Sequence, residues 1–316
     1  MKNGRFVAIG HIVDDTEPYH HLGGGVAYSA VAAAKLGYTC YIITKCPENH
    51  QYIKELETLG VTVFRLPSKK ETITSFSNVY DSEGRRKQKV LEKQELVTVA
   101  DLGAFPKDIL KEAIILVSAV IGEVDLSLFS YLAQQGTLAL TPQGYFREVG
   151  KNSDVRQKEW SGFENYLQQV EFTFVSEEDL YINNSFDSNL LQKLNMVTPL
   201  NVLTKGEKGA TVFSGNTTIY LTAFHLKNEE TKDPTGAGDT FATVFITHYI
   251  KNKDLKQAGV AACFYAALKI MGFGGIGIDS IPEKEQIVSF IKNNPERVLA
   301  YLEANSINDP NFLQSI

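Results

Sequence analysis

Three cysteines are few for 316 residues, and Cys40, Cys46 and Cys263 lack the paired spacing of a zinc site or a disulfide framework. Their odd number fits reduced, buried thiols in a cytoplasmic protein. Basic charge is also scarce. With 31 Lys and Arg against 37 Asp and Glu, the net charge is -6 and the pI near 5.6, which excludes a nucleic-acid or anionic-membrane partner that needs a basic face. The only dense basic run, residues 85–89, reads as a solvated hairpin face. No stretch approaches a membrane span, and residues 1–9 pass directly into a short apolar strand without a signal-peptide core. No Gly-x-x-x-x-Gly-Lys-Ser/Thr loop occurs, so a P-loop is excluded. Gly272-Phe-Gly-Gly-Ile-Gly277 has the letters of a dinucleotide-binding turn, but it follows a helix and not a strand. The six His are scattered, and His20-His21 has no partner at metal-ligand spacing.

What the chain does have is Asp-Pro-Thr-Gly-Ala-Gly-Asp-Thr-Phe at 233–241. Pro234 bars helix before it, while Gly236 and Gly238 let backbone approach a ligand closely. Phe241, Val244, Phe245, His248 and Tyr249 then recur at helical spacing, predicting a helix over 237–251. The turn therefore sits at a helix N-terminus, where unpaired N–H groups and the dipole favour an anion. Asp239 is out of place there unless it takes a proton; the plainer reading is a carboxylate favouring the dipole.

The rest reads as one α/β unit, and 43% hydrophobic content suffices for a large core. Strands at 6–9, 38–44 and 61–66 alternate with an Ala-rich helix inside the glycine-bounded stretch 23–37 and a helix at 48–59, the rhythm of a parallel sheet with helical crossovers. Residues 71–99 break it with period-two alternation around a turn at 81–84, a hairpin with no room for a helix. Thr72, Thr74, Phe76 and Asn78 share one face of that hairpin. The apolar run 114–120 is a central strand, followed by a helix at 126–133 and a strand from 137. A strand from 172 leads into an acidic helix start, and strands at 201–204 and 210–213 flank Gly206-x-x-Gly209. A helix spans 255–271, and one further helix and a capping tail complete the chain.

Residues 233–241 resemble, position by position, the C-terminal signature of the ribokinase or PfkB family of carbohydrate and nucleoside kinases. The resemblance extends from Gly10 to Gly277. It implies a three-layer ribokinase-like α/β fold: a mostly parallel central sheet flanked by helices, plus a small β lid. One domain over 1–316 would carry lid segments at about 11–22 and 71–99. The implied reaction is ATP-dependent phosphorylation of a hydroxyl, with Asp239 as general base and the amides of Gly236, Ala237 and Gly238 stabilising the transferred phosphoryl.

By the same resemblance Asp15, with Asp14 beside it, would hold acceptor hydroxyls near Gly23 and Gly24. The lid residues Thr72, Thr74, Phe76 and Asn78 would close over the acceptor. Residues 141–147 are similar to the Asp-Pro-Gln-Gly-Phe-Leu-Arg stretch of a subgroup that includes inositol kinases, with Thr141 replacing the Asp, and offer Gln143 and Arg147. Thr204, Gly206, Gly209, Asp233, Thr235 and Gly274 would line ATP. Ser176 and Asp179 stand where the family has Asn and Glu ordering Mg²⁺ and its waters, with Glu178 the alternative acid. The 272–277 loop would close the adenine pocket, walled also by the 255–271 helix, and help hold a monovalent cation such as K⁺. A sugar or cyclitol acceptor is expected. Ala27 and Tyr28 replace an Asn common in sugar kinases, which disfavours ribose or fructose. The alternatives are a nucleoside, with Phe76, Tyr28 and Tyr145 as a base slot, or a non-catalytic sensor. Either a monomer or a homodimer fits.

Overall fold

A computed structural model describes residues 4–17, 19–80, 86–182, 185–273, 277–310 and 312–315. The turn expected at 81–84, Arg85 at the head of the basic run, and Gly274 lie outside the described residues. In chain order the first strands are β1 Arg5–Ile9, β2 Val13–Asp15, β3 His21–Gly23, β4 Thr39–Lys45, β5 Val61–Leu66, β6 Thr74–Tyr80, β7 Arg86–Glu92, β8 Ile114–Ser118 and β9 Thr137–Thr141. Then come β10 Arg147–Val149, β11 Val155–Gln157, β12 Phe172–Ser176, β13 Tyr181–Ile182, β14 Ser185–Phe186, β15 Leu200–Thr204, β16 Ala210–Ser214 and β17 Thr217–Leu221. The helices are α1 Gly25–Lys35, α2 Gln51–Thr58, α3 Leu128–Ala133, α4 Glu164–Leu167, α5 Ser188–Val197, α6 Ala237–Asn252, α7 Leu255–Ile270, α8 Lys284–Asn293 and α9 Pro295–Ala304.

Nine strands form the central sheet in the order β17-β16-β15-β12-β9-β8-β1-β4-β5. Pairing is parallel from β15 through β5 and antiparallel only in the β15-β16-β17 edge. The near-continuous apolar runs follow from burial on both faces. Along β1, Phe6 and Ala8 enter one core while Val7 and Ile9 enter the other. Ile114 and Leu116 of β8 likewise face away from Ile115 and Val117. The first core also takes Val26, Val31, Phe245 and Phe264 from α1, α6 and α7, and the second takes Phe129, Leu132 and Leu194 from α3 and α5. Helices therefore lie on both faces. No helix among the described residues is long and apolar enough to cross a membrane.

A second, four-stranded sheet, β3-β2-β6-β7, joins the two segments expected to make a lid. It has its own small core of Val13, Phe76, Val90 and Ile121. Thr72 lies ahead of β6, so of the face expected for Thr72, Thr74, Phe76 and Asn78 only the last three alternate along the strand, and the register shift opposite Ser75 and Phe76 leaves Leu91 of β7 as the extra residue. The fully buried Glu123 fastens the place where this sheet meets the large one. Its carboxylate accepts from the N–H groups of Val120 at 3.0 Å, Ile121 at 2.8 Å and His11 at 3.3 Å. His11 Nε2 lies 2.8 Å from Glu95 O, and burial holds its imidazole below the ordinary value, hence neutral.

Elsewhere the elements depart from expectation in two places. The acidic stretch after β12 is a single 3₁₀ turn, Glu177–Leu180, closed by a capping box between Ser176 and Asp179, and β13 follows at once. The C-terminal remainder holds two helices, separated where Pro295 starts α9.

Candidate active site

Two helices point their N-termini at one place, and both begin on glycine. Gly24 before α1 has φ 92° and Gly236 before α6 has φ 75°, values that favour glycine, and neither gives a side-chain cap. The contrast with α5 and α7 is direct: there Asp187 and Asp254 accept from Leu190 N and Gln257 N. Uncapped first-turn amides remain available to an anion. A methyl added at Gly238 would meet nothing within 4 Å, so this turn faces open space.

Asp239 lies in the first turn of α6, partly exposed. Burial pushes its carboxyl up to about 6, against the Ser118 hydrogen bond and the charges of Arg147 and Lys269, which lower it. Ser118 Oγ donates to Asp239 Oδ1 at 3.3 Å, and Thr141 Oγ1 donates to Ser118 Oγ at 2.8 Å. These two hydroxyls stand at the C-terminal ends of β8 and β9, where open α/β sheets bind ligands. Gly25 permits the approach from α1: a methyl there would overlap Ser118 Oγ and lie 2.5 Å from Asp239 Oδ1.

The glycine run also reaches the second sheet. A methyl at Gly23 would overlap Asp15 Oδ2, so residues 23–25 span the distance from one acid to the other. Asp15 is buried, and its Oδ1 accepts from Asn78 Nδ2 at 2.9 Å, while Gln88 donates to Asn78 Oδ1 at 2.9 Å. Asp14 points elsewhere: Tyr52 OH donates to it at 2.5 Å and His20 Nδ1 lies at 2.6 Å. Thr72 is exposed against Glu92; Thr74 is buried and accepts from Gln94 N. Phe76 fills the small core of the second sheet.

Residues 142–146 are a buried 3₁₀ turn, not a surface loop, and they deliver Gln143 and Arg147. Gln143 hydrogen-bonds Asp179, and the Arg147 charge lowers both Asp179 and Asp239. Burial nonetheless raises Asp179, whose Oδ2 accepts from Ser176 N at 3.0 Å, whereas Glu178 is exposed. On the other side the β15-β16 hairpin brings Thr204, Gly206 and Gly209. Gly209 has φ 92°, and a methyl there would overlap Leu221 O. Asp233 and Thr235 are joined, Thr235 N donating to Asp233 Oδ1 at 2.9 Å.

The pattern of the pfkB family of carbohydrate kinases matches residues 10–282. The chain belongs to that family. This pfkB kinase is a phosphotransferase acting on a hydroxyl group, of the sugar and nucleoside kinase class. A cytidine kinase from Thermococcus kodakarensis is 27% identical over 271 residues, covering 79% of this chain and 90% of that one. Among solved structures, a pyrophosphate-dependent ribokinase-family kinase complexed with a pyrophosphate analogue and myo-inositol has a TM-score of 0.74 at 21% identity, covering 89% of this chain and 100% of its own. A ribokinase from Arabidopsis thaliana complexed with ribose and ATP has a TM-score of 0.65 at 18% identity, covering 92% and 99%. At these identities the two structures share the fold with this chain.

Three aromatic residues expected as a base slot in this pfkB kinase are committed elsewhere. Tyr28 is buried beneath Gly236, Tyr145 stacks on Trp160 with its hydroxyl on Val124 O, and Phe76 packs in the core of the second sheet. Ala261, Ala262, Phe264 and Tyr265 of α7 are likewise core residues. Sequence reasoning also passed over Ser118, Lys269 and Glu123. For Ser118 a signal existed, a hydroxyl closing an otherwise apolar central strand.

Proposed function

We propose that this kinase transfers the γ-phosphoryl of ATP to a hydroxyl of a small polyol, a sugar or cyclitol such as inositol, with Asp239 as general base. The observation that carries this reading is the placement of Asp239: a carboxyl raised to about 6, set among two uncapped helix N-termini and the Arg147 charge. The acceptor hydroxyl gives its proton to Asp239 as its oxygen bonds to the γ-phosphorus, and the bond to the β-γ bridging oxygen breaks, releasing ADP. Amides of Gly236, Ala237 and Gly238 take up the charge on the transferred oxygens. Ser118, itself donated to by Thr141, holds the carboxylate in place. Asp15 and Asn78 bind acceptor hydroxyls under the small sheet, which excludes water.

Thr204, Gly206, Gly209 and Thr235 line the donor. Asp179 suits a hard cation that keeps most of its waters, since a buried carboxylate gains from a positive neighbour; Glu178, exposed, is the weaker candidate. Bound Mg²⁺ supplies positive charge to the phosphate oxygens.

Turnover measured with inositols, hexoses, pentoses and nucleosides, each with ATP or pyrophosphate, tests the reading. Polyol turnover with ATP is expected. Turnover confined to nucleosides would move the assignment toward the cytidine kinase relative, turnover confined to pyrophosphate would reassign the donor, and ligand-induced thermal shifts without turnover would make the protein a sensor.

Two further outcomes follow from the site. Because the base must be ionised, kcat/KM is expected to fall about tenfold per unit as pH drops below about 6; a flat profile from pH 5 to 8 would remove Asp239 from the role. Asp15→Ala is expected to raise the acceptor KM by about 10- to 100-fold while leaving the donor KM unchanged, since it removes a charge-assisted acceptor of hydroxyl hydrogen bonds.

A further inference from the structure

Lys269 is fully buried on α7, and the chemistry above gives it no part. Its Nζ donates to the main-chain oxygen of Asp233 at 3.1 Å and to Asp233 Oδ2 at 3.1 Å. The same Oδ2 accepts from Gly277 N at 2.7 Å, and Oδ1 accepts from Thr235 N. Burial alone would raise Asp233, but the Lys269 charge and these two amides outweigh it and hold the carboxyl below its ordinary range. Lys269 Nζ also lies 5.2 Å from the centre of the Tyr28 ring, and that ring lies where a methyl on Gly236 would have to go. One ammonium thus braces the turn at both ends: Asp233 before it, and Gly236 through Tyr28.

A monovalent cation beside this turn needs oxygen ligands, and among the described residues the turn offers the Asp233 oxygens as anionic ones. Both the main-chain oxygen and Oδ2 are already taken by an ammonium. A second cation against the same oxygens would be repelled by the fully buried Lys269 ammonium, which little solvent screens. The expected ion therefore does not fit the described residues of the turn.

We infer that Lys269 stands in for a bound monovalent cation, fixing the phosphoryl-binding turn from within the chain, so that this kinase works without K⁺. Lys269 is a positioning residue, and the inference rests on the reading of residues 236–239 as that turn.

The full chain, assayed and melted in K⁺, Na⁺ or tetramethylammonium chloride at equal ionic strength, decides it. For the unaltered protein, kcat within about twofold across the salts and an unchanged Tm are expected. Lys269→Ala opens an oxygen-lined hole of cation size. In tetramethylammonium it is expected to lose about 100-fold in kcat with acceptor KM within about threefold, and K⁺ or methylammonium should restore part of both kcat and Tm. Activation of the unaltered protein by K⁺ of more than about tenfold overturns the inference, as does a folded Lys269→Ala whose Tm ignores K⁺. Should the variant not fold, the unaltered protein's response alone decides. Melting needs no turnover, so a failure of the kinase reading leaves this test standing.

Discussion

Asp239→Asn is expected to lower kcat by about 100- to 10,000-fold and, at the same time, to make the protein harder to melt at neutral pH. The activity loss follows from removing the carboxylate proposed to accept the hydroxyl proton. The stability gain follows from linkage. Asp239 titrates near 3.8 when solvated and about 6 in the fold, so the folded state binds the proton more tightly. Its favourable contribution is complete below about pH 4 and is lost as pH rises through about 6. At pH 8 the buried charge costs on the order of 1–2 kcal/mol, discounted for its partial exposure, and Asn removes that cost. Melting curves at pH 4.5 and pH 8 check the sign: the variant's advantage, about 2–4 °C at pH 8, should shrink in acid. Near-normal turnover would sink the general-base role whatever the melting shows.

Gly25→Ala should do nearly as much harm by adding a single carbon. The new methyl would overlap Ser118 Oγ and lie 2.5 Å from Asp239 Oδ1. Helix α1 cannot back away, because Val26, Ala30 and Ala33 are fully buried against the sheet and α6. The two polar side chains must therefore give, and displacing a reacting group by about 1 Å costs on the order of 100-fold in rate. We expect that loss in kcat, with a destabilisation of about 1–3 kcal/mol from overpacking. Denaturant unfolding alongside steady-state kinetics separates the two effects; a variant with unchanged kcat would mean that Asp239 is not held against α1.

How much of this could be read in advance depends on the distance over which each interaction acts. The strands and helices were legible because burial on one or two faces writes a period into neighbouring residues, as in β1 and α6. The turn into α6 was legible because Pro234, Gly236 and Gly238 act on backbone within a few positions. The hydroxyls behind Asp239 were not legible as a chain: Ser118 is 121 residues away from it. Lys269 reads as one more polar residue on an amphipathic helix until Asp233, 36 residues earlier, is folded against it. The aromatic base slot failed for a related reason. Tyr28, Phe76 and Tyr145 were chosen for their rings, and the core claims rings first because burying each removes a large apolar surface from water. Thr72 dropped out of the hairpin face because it lies ahead of β6, where strand alternation no longer sets its side.

Sequence by itself thus determined the α/β alternation, the family and the turn at 233–241, since each depends on spacing within a few residues. Tertiary structure decided what that turn is set against: Gly25 pressed to Asp239, Arg147 shared between two acids, and Lys269 locked under the turn. Those are contacts between segments far apart in the chain, and their energies exist only once burial has stripped the water from between them.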